Sequence, residues 1–226
     1  MLARAEKGND MTLSTFARGL AGAAFACIGA GATQAETYVY GGLSYGSADY
    51  GYTYEIASSE TEFSHQGVGA FLGMGRSFAS RGSLTFGGEI DIAAGAWASD
   101  VELVSTTPCI IPGDACEGSV DALMTVRGTV AFEQAGWTPF LTAGLAVGKV
   151  SGSADEGACG GPCEFDETRT GWVVGAGFTR PLTERFDLRV DYLYTDLGKP
   201  EFTAPDSVTS AAIVFQQLRI GAQMAF

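Results

Sequence analysis

The chain is poor in basic residues: thirteen Lys and Arg stand against twenty-six Asp and Glu, a net charge of −13 over 226 residues. Nonspecific nucleic-acid binding needs cations to displace the counterions of phosphates, and no basic patch is present, so that partner class is excluded. Histidine is nearly absent, with His65 alone in the sequence. A zinc site draws on paired ligands at matching spacings and usually on histidine, and neither is found, so no metal or other cofactor is expected. Long apolar runs are also missing. Nothing after residue 35 approaches the ~20 apolar residues that a membrane-crossing helix requires.

What the chain has instead is 32 glycines, 11% aromatic residues and 46% hydrophobic residues overall. A helical bundle favours Ala, Leu, Glu and Lys, so this composition points to strands and turns in one substantial all-β domain. The first 35 residues are different in kind. "MTLSTFARGLAGAAFACIGAGATQA" carries a lone Arg18, an apolar run from Leu20 to Ala32, and the small residues Thr33 and Ala35 before Glu36. It reads as a secretory signal (residues 1–35) cleaved after Ala35, with Met11 as an alternative start. Cys27 follows Ala24-Phe25-Ala26, a poor lipobox. Cleavage removes Arg4, Lys7 and Arg18 with Glu6 and Asp10, leaving residues 36–226 one unit more acidic and exported.

Eight runs of roughly ten to fifteen residues follow, each alternating with period two: near 37–47, 66–78, 83–97, 119–132 and 138–150, two within 171–198, and one at 211–226. Their connections alternate as well. "ASRG", "QAGW" and "PLTER" are short turns of Gly, Pro and polar residues, whereas the other four connections are long. On most runs one face is apolar, as in Trp172, Val174, Ala176 and Phe178, or Leu188, Val190, Tyr192 and Tyr194. The opposite face holds glycine and scattered charges such as Arg189 and Asp191. A soluble barrel points its apolar face inward. Here the polar face is too sparse and glycine-rich to be a solvated surface, and Trp172, Phe178, Phe86, Tyr192 and Tyr194 fall near strand ends. The pattern therefore predicts oil outside and charges inside: an eight-stranded antiparallel up-and-down transmembrane β-barrel with aromatic girdles. A secreted lipocalin-like barrel with an apolar cavity is the competing architecture. The inward charges speak against it.

"YVYGGLSYG" near the start, "GWVVGAGFTRPL", "RVDYLYTDLG" and a final strand ending in Phe226 resemble the small outer-membrane β-barrels of Gram-negative bacteria. They are most similar to the porin-family surface antigens that carry an outer-membrane-protein β-barrel domain. The resemblance covers residues 36–226. It implies a monomer with short periplasmic turns and long extracellular loops, contact with outer-membrane lipid and lipopolysaccharide, and a terminal Phe226 read as a signal by the barrel assembly machinery. It carries no activity with it.

Glu89, Asp91, Asp121, Arg127, Asp187, Arg189, Asp191 and Arg219 are the candidate interior network, because charges withdrawn from water persist only when paired. Eight strands leave a lumen that side chains can fill, so these residues are expected to form a plug. Partner switching among them would make a gate. Cys109, Cys116, Cys159 and Cys163 fall in the second and third long loops and read as two disulfides, most simply one per loop, with three pairings open. These pairs depart from the family pattern. Adjacent Ser64 and His65 point to opposite faces of a strand and cannot act as a catalytic pair. The acids of the long loops serve hydration; divalent-cation bridging to lipopolysaccharide phosphates is a sharper use, although no spacing resembles a calcium loop. The expected role is structural and surface-facing, toward an unidentified loop partner. The alternative is a low-conductance porin, and the least favoured reading is an enzyme acting on outer-membrane lipid.

Overall fold

The alternation produces ten antiparallel strands: β1 (Thr37–Tyr54), β2 (Ser59–Arg81), β3 (Leu84–Ala96), β4 (Ser99–Val101), β5 (Cys116–Phe132), β6 (Thr138–Ala154), β7 (Cys163–Pro181), β8 (Asp187–Asp196), β9 (Glu201–Ala204) and β10 (Ser207–Ala225). They belong to a computed structural model that describes residues 36–54, 59–97, 99–101, 116–154, 163–199, 201–204 and 207–226. The proposed signal segment, Cys109 and Cys159 lie outside the described residues. Eight strands pair in the order β1-β2-β3-β5-β6-β7-β8-β10, and β10 pairs back onto β1, so the sheet closes on itself. The short β4 and β9 pair with β5 and β10 at the long-loop end.

Closure leaves no sheet edge in the barrel wall and satisfies its backbone groups between strands. Several strands outrun their sequence pattern. The alternation predicts 66–78 for the second strand, whereas pairing with β1 continues to Ser59↔Tyr54, because beyond the apolar zone backbone pairing goes on without any hydrophobic repeat to mark it.

The three short connections lie at one end together with Glu36 and Phe226. Phe226 donates its backbone N–H to Thr37 O (2.9 Å), Ser77 to Glu36 O (2.9 Å) and Glu133 to Ser83 O (2.8 Å). Gly82 (φ 65°) and Gly136 (φ 88°) occupy the left-handed conformations that turn the chain there, which a residue bearing a Cβ adopts only under strain.

The two faces of the wall are sorted as the alternation predicts. Leu43, Val68, Leu72 and Leu145 are 68%, 67%, 66% and 70% exposed, although they are the most apolar positions of their strands. An apolar surface running right round the barrel has no place in water. Aromatic residues border it. Phe78, Phe132, Trp137, Phe186 and Phe226 lie toward the short turns, and Tyr45, Trp172 and Tyr192 toward the long loops. Trp137 meets Phe178 edge-on at 6.2 Å, and Trp172 lies 5.5 Å from Tyr194.

Candidate functional site: the lumen

Every second residue of each barrel strand points inward, and four strands bring charges together at one level of the lumen. β3 supplies Glu89 and Asp91, β5 supplies Arg127, β8 supplies Arg189 and Asp191, and β10 supplies Arg219; all six are buried. β3 and β8 stand four strands apart in either direction around the wall, so contacts between them cross the full width of the lumen.

The six groups form a closed cycle of ion pairs. Arg189 grips Glu89 with both terminal nitrogens, at 2.7 and 3.0 Å. Glu89 Oε2 lies 3.0 Å from Arg127, whose same nitrogen also pairs with Asp91. Asp91 Oδ1 accepts from Arg219 at 3.1 Å, and Arg219 grips Asp191 at 2.7 and 3.0 Å. Asp191 returns to Arg189 Nε at 3.1 Å. Three cations and three anions alternate around the ring, so its net charge is zero.

Further partners complete it. Tyr38 donates to Glu89 (2.8 Å), Tyr40 donates to Asp91 (2.9 Å), and Arg189 donates to Gln223 Oε1 (3.1 Å). The guanidiniums also lie over ring faces, Arg189 at 4.1 Å from Tyr40 and 4.5 Å from Phe140, Arg219 at 4.3 Å from Phe71. These contacts hold the large planar groups in place in a desolvated site. Glycine makes room for them. A Cβ on Gly73 would come within 2.5 Å of the Tyr40 ring, and one on Gly75 within 2.4 Å of Tyr38.

Two of the eight sequence candidates are not in this ring. Asp121 is on the outside. A β-bulge between Val120 and Ala122 shifts the register against β6, which buries Val120 in the lumen and turns Asp121 outward. There it accepts from Ser119 (2.8 Å) and, with Asp166, flanks Lys149 (3.8 and 3.2 Å). An inserted residue inverts the faces on one side of a bulge, and strict alternation carries no mark of it. Asp187 faces inward but lines a polar cup of about 410 Å³ at the short-turn end, together with Glu36, Tyr38, Glu133, Gln134 and Arg189. The ring forms the inner end of this cup through Glu89 and Arg189.

The strand alternation does not mark one feature of the lumen. Toward the long loops its interior is apolar: Trp97, Leu123, Val173, Leu193, Leu197, Ile213 and Phe215 are all buried and packed together. The rows of small inward residues opposite them, Gly46, Gly69, Gly95, Gly148 and Gly171, are the signal that marks this layer.

The four loop cysteines are only partly placed. Ala154 of β6 pairs with Cys116 on one side and Cys163 on the other. These two cysteines are thus two strand spacings apart, ~9.5 Å, beyond the ~7 Å that a disulfide spans between Cα atoms. The pairing that joins Cys116 to Cys163 drops out and two remain. Of the Ser64–His65 pair, Ser64 is exposed, and the side chain of His65 lies outside the described residues.

Residues 19–226 match the family model of the outer membrane protein β-barrel domain. The chain belongs to that family. The short turns of this outer-membrane barrel therefore face the periplasm and its long loops the cell exterior, in the outer membrane of a Gram-negative bacterium. Similar proteins include the 31 kDa outer-membrane immunogenic protein of Brucella melitensis biotype 1, 30% identical over 138 residues, 57% of each chain. The 22 kDa outer membrane protein of Rhizobium leguminosarum bv. viciae is 29% identical over 104 residues, 45% of this chain and 46% of that one. The chain thus spans about half the length of these curated relatives. Among solved structures, the outer membrane protein OprG of Pseudomonas aeruginosa superposes with a TM-score of 0.56 at 13% identity, over 84% of this chain and 95% of that one. This likeness concerns the fold.

Placement of the barrel in lipid has a direct optical test. Phospholipids brominated along their acyl chains are expected to quench the fluorescence of Trp137 and Trp172, both on the outer face and 45% exposed, and to leave buried Trp97 unquenched. Single-tryptophan variants in brominated vesicles check this. Equal quenching of all three would mean that the outward face is misassigned.

Proposed function

We propose that the protein is a monomeric, non-conducting barrel whose lumen is shut by its charged interior and whose work is structural and surface-facing: envelope integrity and presentation of disulfide-braced loops. The observation that carries this reading is the closed ring of six ion pairs spanning opposite walls of the lumen. A barrel whose inner width is occupied by three mutually bridged guanidiniums has no continuous water path at that level, as filled interiors are usual at eight strands. The immunogenic names of the Brucella relatives support a surface role for the loops. The outer carboxylates Asp121 and Asp166 beside Lys149 stand where lipopolysaccharide headgroups would meet the wall. No enzymatic role is assigned.

The test is single-channel recording of the refolded protein in a planar bilayer. The native barrel is expected to insert and pass no steady current. Discrete, sustained steps would favour the second reading, a low-conductance porin, which draws support from the polar periplasmic cup that leads water as far as Arg189 and Glu89. Deleting the gene and assaying lipid A tests the least favoured reading, in which the protein modifies outer-membrane lipid; an altered lipid A pattern would revive it.

A further inference from the structure

We infer that the lumen is closed twice, by the charge ring and by a separate apolar seal on the extracellular side, and that the space between them is an enclosed chamber that holds water. The inference rests on the closed-barrel reading and says where the barriers lie.

The seal is built by two residues that immediately follow strands. Trp97 comes straight after β3 and Leu197 straight after β8, so each is the root of a long extracellular loop, and both are buried (0% and 2% exposed). The Trp97 indole lies across three neighbouring strands. A Cβ on Gly69 would come within 2.3 Å of it, one on Gly95 within 2.9 Å and one on Gly46 within 3.0 Å. On the opposite wall a Cβ on Gly148 of β6 would come within 2.7 Å of the Leu197 side chain, and Val173 of β7 packs in the same apolar cluster. Phe215 of β10 packs edge-on against Trp97 at 4.9 Å, and Leu123 of β5 fills the remaining sector. Seven barrel strands therefore contribute to one apolar cross-section, either as a large side chain or as the glycine beneath one, and Leu197 joins it from the end of the eighth. An apolar constriction of this kind excludes water and ions by dewetting, without any charge.

The ring and the seal are separate layers with a polar layer between them. On β10 the inward residues run Arg219, Gln217, Phe215, and on β5 they run Arg127, Thr125, Leu123. In each case a ring residue and a seal residue flank a polar one. Among the described residues, both amide atoms of fully buried Gln217, the hydroxyls of Thr125 and Ser44, and Nε and NH1 of Arg127 have no hydrogen-bond partner within the protein. The neighbouring inward positions are small, Ala93 on β3 and Ala146 on β6. Buried polar atoms of native proteins are paired, and ordered water supplies the partner where the protein does not. Clustered donors and acceptors beside a charge-neutral ring are a site for water rather than for an ion, since a lone ion would stand uncompensated there.

Two barriers in series make a definite prediction for conductance. Four refolded proteins are compared in planar bilayers: native, a ring variant (Arg127→Ala with Arg219→Ala), a seal variant (Trp97→Ala with Leu197→Ala), and the combination of all four substitutions. Native, ring and seal proteins are expected to stay silent, and the combination is expected to pass steady current. Current through the ring variant alone would show that the apolar layer is no barrier and overturn the inference, as would silence of the combined variant. Current through the native protein would instead defeat the closed-barrel reading itself. Heat-modified gel mobility and brominated-lipid quenching of Trp137 and Trp172 identify the folded, inserted fraction of each variant, so that misfolded protein is not scored as silent.

Discussion

Replacing Asp191 by Ala is expected to destabilise the barrel by roughly 3–5 kcal/mol, the cost of breaking a buried ion pair from one side. Asp191 accepts from Arg219 at 2.7 and 3.0 Å and from Arg189 at 3.1 Å. Its loss leaves two guanidiniums in a water-poor lumen with fewer anions than cations, and the ring acquires net charge. Removing a cation with it restores neutrality. The double substitution Asp191→Leu with Arg219→Met is therefore expected to cost clearly less than the sum of the two single changes, because groups in one network are strongly non-additive. Urea titration of folding in lipid vesicles, followed by gel mobility and tryptophan emission, measures all of these. A single-variant loss below about 1 kcal/mol, the scale of an exposed pair, would mean that water reaches the ring freely.

The second large effect belongs to the outer wall. Leu72→Arg is expected to cost about 2–4 kcal/mol when the barrel folds into a bilayer, the range for a cation on the lipid face near mid-depth. Leu72 is 66% exposed and lies on β2 between the Phe78 girdle and Val68, the register partner of Tyr45. In water the same exchange at so exposed a site would fall within about 0.5 kcal/mol. The size of the effect thus reports which solvent this face meets. Measuring it in vesicles and comparing it with Arg at exposed Glu184, also expected within about 0.5 kcal/mol, separates a lipid penalty from a general cost of substitution. A near-neutral Leu72→Arg would contradict the transmembrane placement of this belt.

Much of the fold was legible because lipid and lumen impose opposite demands on alternate residues. The runs around Val190 and Ile220 showed apolar residues facing out and arginines facing in. Six of the eight predicted network residues meet in the ring because charges can survive on the inner face only together. Asp121 escaped the pattern since one inserted residue at the Val120–Ala122 bulge inverts the faces, and nothing in local composition announces it. Asp187 has the right face and the wrong depth, as periodicity gives side but not height. The apolar layer went unread for a different reason: its members come from both strand interiors and loop roots, and its space is created by glycines. Each of those glycines, taken alone, looks like a mere gap in the polar face.

The join between β1 and β10 runs from Tyr38↔Ala225 to Tyr54↔Thr209, and it is the one long seam of the wall whose two sides are the first and last strands of the barrel. Every other barrel pairing links strands that follow one another along the wall and can form as each new segment arrives. Until Phe226 has been delivered, the growing sheet therefore carries two unfinished borders, each an open row of hydrogen-bonding groups that attracts other extended chains. Ring partners on β8 and β10 also arrive last, so the acids of β3 wait without Arg189 and Arg219. Completion of this barrel consequently waits for its last strand, and removing that strand forfeits closure, lumen packing and protection from aggregation in one step.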